Sequence, residues 1–100
     1  MASGWIGILS AELQFPEAHS LKEKRMSVRS AKEQLRNRFG AAVAEVDHHD
    51  VWQRTRLTAA VVTRDAGEAE RLLSEAERYL SSRDWEVALV ERELVTLDDE

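Results

Sequence analysis

The sequence predicts an α+β fold of the ferredoxin-like βαββαβ kind, a four-stranded antiparallel sheet with two helices on one face. One observation is a first segment, Trp5 to Phe15, in which apolar and polar residues alternate late in the run. The others are two segments with apolar residues at helical spacing and three further short strand-like segments placed around them. This order puts both helices on one side of the sheet and leaves the other side open.

The first strand ends at Pro16, and a helix is expected to follow at once. Ser20 and Glu23 have the spacing of a capping box, in which the serine oxygen accepts a free backbone N–H and the glutamate reaches back. Gly40 can adopt the left-handed conformation that ends a helix. The apolar stripe between them is formed by Leu21, Val28, Ala31, Leu35 and Phe39.

The second half of the chain is predicted to supply two strands, a helix and a last strand. Residues 41–47 and 55–63 are the expected second and third strands, joined by a long hairpin whose turn is not marked by Gly or Pro. Asp65 is the expected cap of a helix over 66–81, and residues 85–95 form the fourth strand. One domain over 1–96 with an acidic tail at 97–100 is therefore expected. The predicted core of the two central strands is Leu9, Ala11, Leu13, Leu57, Ala59 and Val61.

Composition narrows the class of protein. The chain has no cysteine, which excludes disulfides, thiolate metal sites and a cysteine nucleophile. No apolar run approaches the ~20 residues that a membrane span needs, and the N-terminus does not have the pattern of an export signal. We therefore expect a cytoplasmic protein with no membrane association.

The charge is unevenly distributed along the chain. The formal net charge is −5, but residues 20–38 hold seven basic and two acidic residues, whereas residues 65–100 hold twelve acidic and four basic ones. Such asymmetry bears on binding partners more than the total charge does.

The basic residues of the first helix form a stripe beside its apolar stripe. At about 100° per residue, their spacing keeps all five within one quadrant of the helix. They can follow a phosphate backbone, or they can be a solvated face whose aliphatic stems pack over the core. Both interpretations stay open. The members of this basic stripe are Lys22, Arg25, Arg29, Lys32 and Arg36.

Arg54 and Arg56 are expected on one side of the third strand, on the open face, where they can add to phosphate binding or pair with Glu12. RNA-recognition domains with this fold stack bases on aromatic residues of the sheet. The outward positions here hold none, which argues against base stacking on the sheet. Those positions are Ile6, Ile8, Ser10, Arg56 and Thr58.

The segment between the second and third strands holds the remaining candidate residues. Two adjacent histidines flanked by aspartates can supply a metal ligand or a general base, but their spacing matches no metal signature. A hairpin hydrogen-bond network is the favoured interpretation, and no metal, cofactor or catalytic residue is predicted. Trp52 can be a core anchor, a dimer contact or a surface platform, in that order. The hairpin set is Asp47, His48, His49, Asp50 and Trp52.

Three segments resemble the YlxP-like family, a bacterial family of unknown function. They are residues 20–25 (SLKEKR), 35–39 (LRNRF) and 43–54, which contains AEVDH and WQR. The resemblance runs from the first strand through the fourth and implies a ferredoxin-like fold. The gene setting of such proteins, among transcription-termination, translation-initiation and ribosome-binding factors, implies a role in translation or small-subunit maturation, but no mechanism.

The sequence favours two functional hypotheses, and a third has less support. The leading hypothesis is a non-enzymatic module that binds structured RNA or a ribosomal intermediate through the basic stripe, with Arg54 and Arg56 contributing. The alternative is a homodimeric interaction or regulatory domain joined through the open sheet face, with no nucleic-acid role. The third, a small enzyme or metal protein using His48, His49 and Asp50, has no motif in its favour. The residues expected to cover one another in the dimer are Ile6, Ile8, Ala88 and Val90.

Overall fold

The computed structural model describes residues 3–97, and its element order is strand, helix, strand, strand, helix, strand. The elements are β1 Trp5–Gln14, α1 Leu21–Phe39, β2 Ala42–Asp47, β3 Arg54–Thr63, α2 Ala66–Ser81 and β4 Glu86–Thr96. The strands form one antiparallel sheet in the order β2-β3-β1-β4, with both helices on one face. The predicted ferredoxin-like fold is confirmed. Of the predicted acidic tail, Leu97 is exposed and residues 98–100 lie outside the described range.

Helix α1 begins and ends where its capping residues predict. The Ser20 hydroxyl accepts the Glu23 N–H at 3.2 Å, and the Glu23 carboxylate accepts the N–H of His19 at 2.8 Å. At the other end Gly40 has φ 65°, and its N–H donates to the Arg36 carbonyl.

The core lies between the helices and the inward face of the two central strands. The predicted core residues of β1 and β3 are all buried, at 5% exposure or less. Where α2 crosses β1, Gly7 allows a close approach, since a Cβ there would lie 3.2 Å from Leu73 Cδ1. The helices contribute Val28, Ala31, Leu35, Leu73, Ala76 and Leu80.

An irregularity in β4 changes which of its residues face the open side. Glu12 pairs with Leu89 but Leu13 pairs with Val87, so the register shifts and Ala88 has no partner on β1. Val90, opposite the buried Ala11, packs against the core. The expected placement of Val90 on the open face is therefore wrong, because alternation cannot be carried through a bulge.

The connection between β2 and β3 is a loop over residues 48–53, close to the bounds that the predicted strands 41–47 and 55–63 imply. A turn closes where the Val51 N–H donates to the His48 carbonyl at 3.2 Å. His48 has φ 65°, a left-handed conformation that few residues other than glycine adopt. No helix within residues 3–97 is both long and apolar enough to cross a membrane.

Candidate nucleic-acid interface

A buried ion pair joins α1 to β2. Lys24 is only 1% exposed, and its Nζ lies 2.8 Å from Glu45 Oε2. The same ammonium donates to the carbonyls of His48, at 2.5 Å, and His49, at 3.3 Å. The hydroxyl of Thr55 donates to the Glu45 carboxylate from the neighbouring strand. All three ammonium protons can therefore be used within the fold, so Lys24 is not available to a ligand.

Lys24 is the structural residue that sequence reasoning missed. Its charge grouped it with the cations of the basic region, although it precedes Val28, Ala31 and Leu35 at spacings of four, three and four. Those spacings place Lys24 on the apolar stripe, and this pattern is the signal in the sequence that indicates its burial.

The electrostatics of this junction favour the ionised form of Glu45. Burial of the carboxyl acts to raise its pKa. Hydrogen bonds from Lys24 and Thr55, with the positive charges of Lys24 and His49, outweigh burial and hold the pKa of Glu45 below its ordinary value. The pair is therefore charged at neutral pH and anchors the loop to the helix.

Contacts between α1 and β2 fix where the loop lies along the helix. Near the C-terminal end of α1, Arg36 Nη2 donates to the Val43 carbonyl at 3.4 Å. Near the N-terminal end, Lys24 holds the carbonyls of His48 and His49. Strand β2 thus runs back alongside α1, and the loop over residues 48–53 lies beside the first turns of the helix.

The basic stripe lies on the surface of α1. Lys22, Arg25, Arg29 and Arg36 are exposed, and Lys32 is partly buried. At 1.5 Å rise per residue the stripe is about 21 Å long. Across residues 3–97, none of its five side chains pairs with a carboxylate, whereas Arg71 on α2 pairs with Glu75 at 3.1 Å. The five stripe residues therefore form no ion pair within the described residues, although Glu33 lies within one helical turn of Arg29 and Arg36.

Arg54 and Arg56 lie on the opposite face of the sheet, so the structure does not bring them together with the stripe. Arg56 Nη2 lies 2.5 Å from Glu91 Oε1 on β4, and its Nη1 lies 3.6 Å from Glu12 Oε1. Arg54 is held more loosely, with Nη1 3.7 Å from Glu12 Oε2. Pairing with Glu12, one of the two predicted alternatives, is what the geometry shows.

The hairpin network is smaller than the sequence predicts. The His48 N–H donates to Asp47 Oδ1 at 2.7 Å, and His48 Nε2 lies 3.5 Å from Glu12 Oε1. In the described part of the chain the side chains of His49, Asp50 and Trp52 make no hydrogen bond. Trp52 is 44% exposed, so its interpretation as a core anchor is wrong.

Metal-ligating side chains do not form a candidate metal cluster in the described structure. Residues 3–97 contain no group of three or more metal-ligating side chains close enough to hold one ion. The predicted absence of a metal and of a catalytic role stays a prediction.

Comparison with known proteins identifies the family. A family described as "Protein of unknown function (DUF503)" matches residues 6–94. The chain belongs to this family. The DUF503 chain is also 30% identical over 77 residues to the uncharacterized protein YlxP of Bacillus subtilis (strain 168), covering 77% of this chain and 84% of that protein. The YlxP-like resemblance of the sequence is confirmed.

Two solved structures are similar to this DUF503 domain at a distance. The de novo designed protein Ferredog-Diesel has a TM-score of 0.44 at 16% identity, over 86% of this chain and 83% of its own. A putative antibiotic biosynthesis monooxygenase from Bacillus cereus also has a TM-score of 0.44, at 11% identity over 97% and 95%. The fold assignment rests on the strand order itself.

Proposed function

We propose that this DUF503 domain is a non-enzymatic, cytoplasmic module that binds structured RNA or a ribosomal intermediate along the basic stripe of α1. The observation that supports the proposal is the absence, within residues 3–97, of any carboxylate partner for the five stripe residues. The neighbouring cation Lys24, by contrast, is fully used inside the fold.

The charge pattern favours a linear polyanion over a small anion. Five cations along about 21 Å can each neutralise a phosphate, and each neutralised phosphate releases about one counterion. The rest of the chain is acidic, with a net charge of −5 overall, so it repels a polyanion from the other surfaces and orients it onto the stripe. The gene setting implied by the YlxP-like resemblance supports RNA as that polyanion.

A charge-reversal experiment with a matched control tests the proposal. The variant Arg25→Glu/Arg29→Glu removes the centre of the stripe. The control Arg64→Glu/Arg78→Glu makes the same change in net charge at two exposed arginines that have no ion pair in the described residues. Affinity for a labelled RNA duplex is measured by fluorescence anisotropy at low ionic strength.

The stripe variant should lose about tenfold or more in affinity, because two phosphate contacts become repulsive, and the control should lose far less. Thermal midpoints verify folding. Equal losses in both variants would show that net charge, not the stripe, governs binding and would overturn the proposal, as would full affinity in the stripe variant.

A second candidate, a homodimer through the open face, is favoured by one observation. At the end of the sheet remote from the loop, Ile6 is 40%, Val62 78% and Leu97 83% exposed. Exposed apolar patches of this kind mark protein interaction sites. Sedimentation equilibrium of the wild type and of Val62→Glu decides it: a dimer dissociated by the substitution supports the candidate, and a wild-type monomer at tens of micromolar rejects it.

A further inference from the structure

A cleft opens at the end of the sheet where β1 stops and the loop over residues 48–53 returns to β3. Its volume is about 530 Å³, and it is lined by Gln14, Pro16, Val51, Gln53 and Arg54. The Phe15 N–H donates to the Gln53 carbonyl at 2.9 Å and fixes the loop against the end of β1. The volume lies within the range of clefts that bind small molecules.

The side chains of this cleft have the chemistry that recognises the edges of nucleobases. Gln14 and Arg54 face each other across the strands, and Gln53 precedes Arg54 in the chain. A carboxamide offers a donor and an acceptor together, and a guanidinium offers a planar set of donors. Such groups pair with the edges of adenine and guanine.

These groups are also available to a ligand. Over residues 3–97 neither glutamine side chain makes a hydrogen bond, and the Arg54 side chain is 46% exposed with its nearest carboxylate oxygen, on Glu12, at 3.7 Å. The Glu12 contact is longer than a hydrogen bond and leaves the guanidinium donors largely unused.

An exposed aromatic residue belongs to the same loop as part of the cleft lining, although its own side chain is not among the groups that line the cleft. Trp52 lies between two lining residues, Val51 and Gln53, and is 44% exposed. Unpaired RNA bases are typically held by stacking on such rings together with hydrogen bonds to their edges. The open sheet face does not offer aromatic rings for this purpose, whereas the loop does.

The cleft is also placed to receive RNA from the stripe. Because Lys24 holds the carbonyls of His48 and His49, the loop lies beside the first turns of α1, where Lys22 and Arg25 begin the stripe. Lys24 lies about 160° around the helix from Lys22 and about 100° from Arg25, so the loop and the stripe share the same turns of α1 but not the same side. A strand whose phosphates follow the stripe toward Lys22 therefore has to pass around the N-terminal end of α1 to enter the cleft.

We propose that this cleft binds an unpaired base of the RNA whose backbone lies on the basic stripe. Gln14, Gln53 and Arg54 contact the edge of the base, and Trp52 stacks on the base or its neighbour. This inference rests on the proposed RNA-binding function and adds the substrate class: a duplex that carries a single-stranded extension or bulge.

The test compares three labelled RNAs by fluorescence anisotropy: a blunt duplex, the same duplex with a short single-stranded extension, and the same extension with abasic sugars. The base-containing extension should strengthen binding about fivefold or more over the blunt duplex, and the abasic one should add little. The variants Gln14→Ala/Gln53→Ala and Trp52→Ala should each abolish that gain and leave affinity for the blunt duplex unchanged.

Two further variants serve as controls. Trp52→Phe retains an aromatic ring and should retain most of the gain, and Asn37→Ala removes an exposed amide from α1 outside the cleft and should retain all of it. Should Trp52→Ala fail to fold, as judged by its thermal midpoint, the glutamine double variant decides alone.

The outcomes separate the two proposals. Equal affinities for the base-containing and abasic extensions, or a full gain in the glutamine variant, overturn the base cleft while leaving stripe binding intact. Full affinity of Arg25→Glu/Arg29→Glu for the blunt duplex overturns the stripe and the base cleft together.

Discussion

The Lys24 ammonium and the Glu45 carboxylate lie 2.8 Å apart and join the two segments that carry the family resemblance most specifically. Lys24 belongs to residues 20–25, and Glu45 belongs to the segment that continues into His48 and Trp52. The contact gives both motifs a physical role: it fixes the loop over residues 48–53 against the first turns of α1. In the proposed function, the buried pair positions the RNA-binding groups without touching RNA.

Removing the cation of this pair should destabilise the fold strongly. The variant Lys24→Met leaves the Glu45 carboxylate without its cation and takes the ammonium donor from the carbonyls of His48 and His49. We expect a loss of about 3 kcal/mol in the free energy of unfolding, measured by urea denaturation. The matched control is Lys22→Met, an exposed lysine two residues away, which should change stability by less than about 0.5 kcal/mol. Similar losses in both variants would contradict a structural role for the pair.

The pH dependence of stability should carry the signature of Glu45. Its pKa is lower in the folded state than the ordinary glutamate value of 4.5, which applies to the unfolded chain. The ionised carboxylate therefore stabilises the fold above the unfolded pKa, and this contribution disappears as the pH falls through the folded pKa. Glu45→Gln should be less stable than wild type at neutral pH, and the difference should shrink below about pH 4.

Urea unfolding across that pH range measures the effect, and a double variant controls it. In a Lys24→Met background the Glu45 carboxylate is desolvated without its main partner, so Glu45→Gln should no longer destabilise the fold at neutral pH and should recover part of the stability lost in Lys24→Met. A pH-independent difference between wild type and Glu45→Gln would show that the substitution acts by packing alone.

Local signals were sufficient to predict the elements of this fold. Ser20 and Gly40 mark the two ends of α1, and Asp65 accepts the Glu68 N–H at the start of α2, because capping depends on residues close in sequence. The strand order followed from the sequence of elements. Val90 was misplaced because the bulge opposite Glu12 and Leu13 depends on pairing between distant strands.

The candidate site was less predictable, since it depends on which charges meet in space. Composition alone assigns Lys24 and Lys22 to the same basic region, yet the first is buried against Glu45 and the second is exposed. The cleft beside Trp52 joins Gln14 to Gln53 across the end of the sheet, and neither glutamine stood out in the sequence. The spacing of residues within one helix can be worked out from the sequence, whereas contacts such as Lys24 with Glu45 join distant segments and are set by the tertiary fold.

The backbone of His48 offers a test of loop geometry. Among the described residues it is the one position other than glycine with positive φ, at 65°. Both His48→Gly and His48→Ala remove the imidazole, so the difference in their stability reports the cost of a Cβ in this backbone conformation. The glycine variant should be more stable by about 1 kcal/mol, because a Cβ is disfavoured in this conformation. At His49, where φ is not positive, the order should reverse. Glycine there only increases the conformational freedom of the unfolded chain, which makes the glycine variant less stable than the alanine variant. Urea midpoints of the four variants settle the comparison, and the same order at both positions would be inconsistent with the described turn.

The salt dependence of RNA binding should count the phosphates that the stripe neutralises. Each contact contributes a slope of about −0.7 to −0.9 in a plot of log affinity against log salt concentration, so five contacts give roughly −3.5 to −4.5. In Arg25→Glu/Arg29→Glu two contacts are lost, and the slope should become shallower by about 1.5 or more. The Arg64→Glu/Arg78→Glu control should keep the wild-type slope, because those arginines lie outside the stripe. The slope therefore reports the number of phosphate contacts and not the overall charge of the protein. A wild-type slope near about −1 would mean that a single cation contacts RNA. The stripe would then be a solvated helix face.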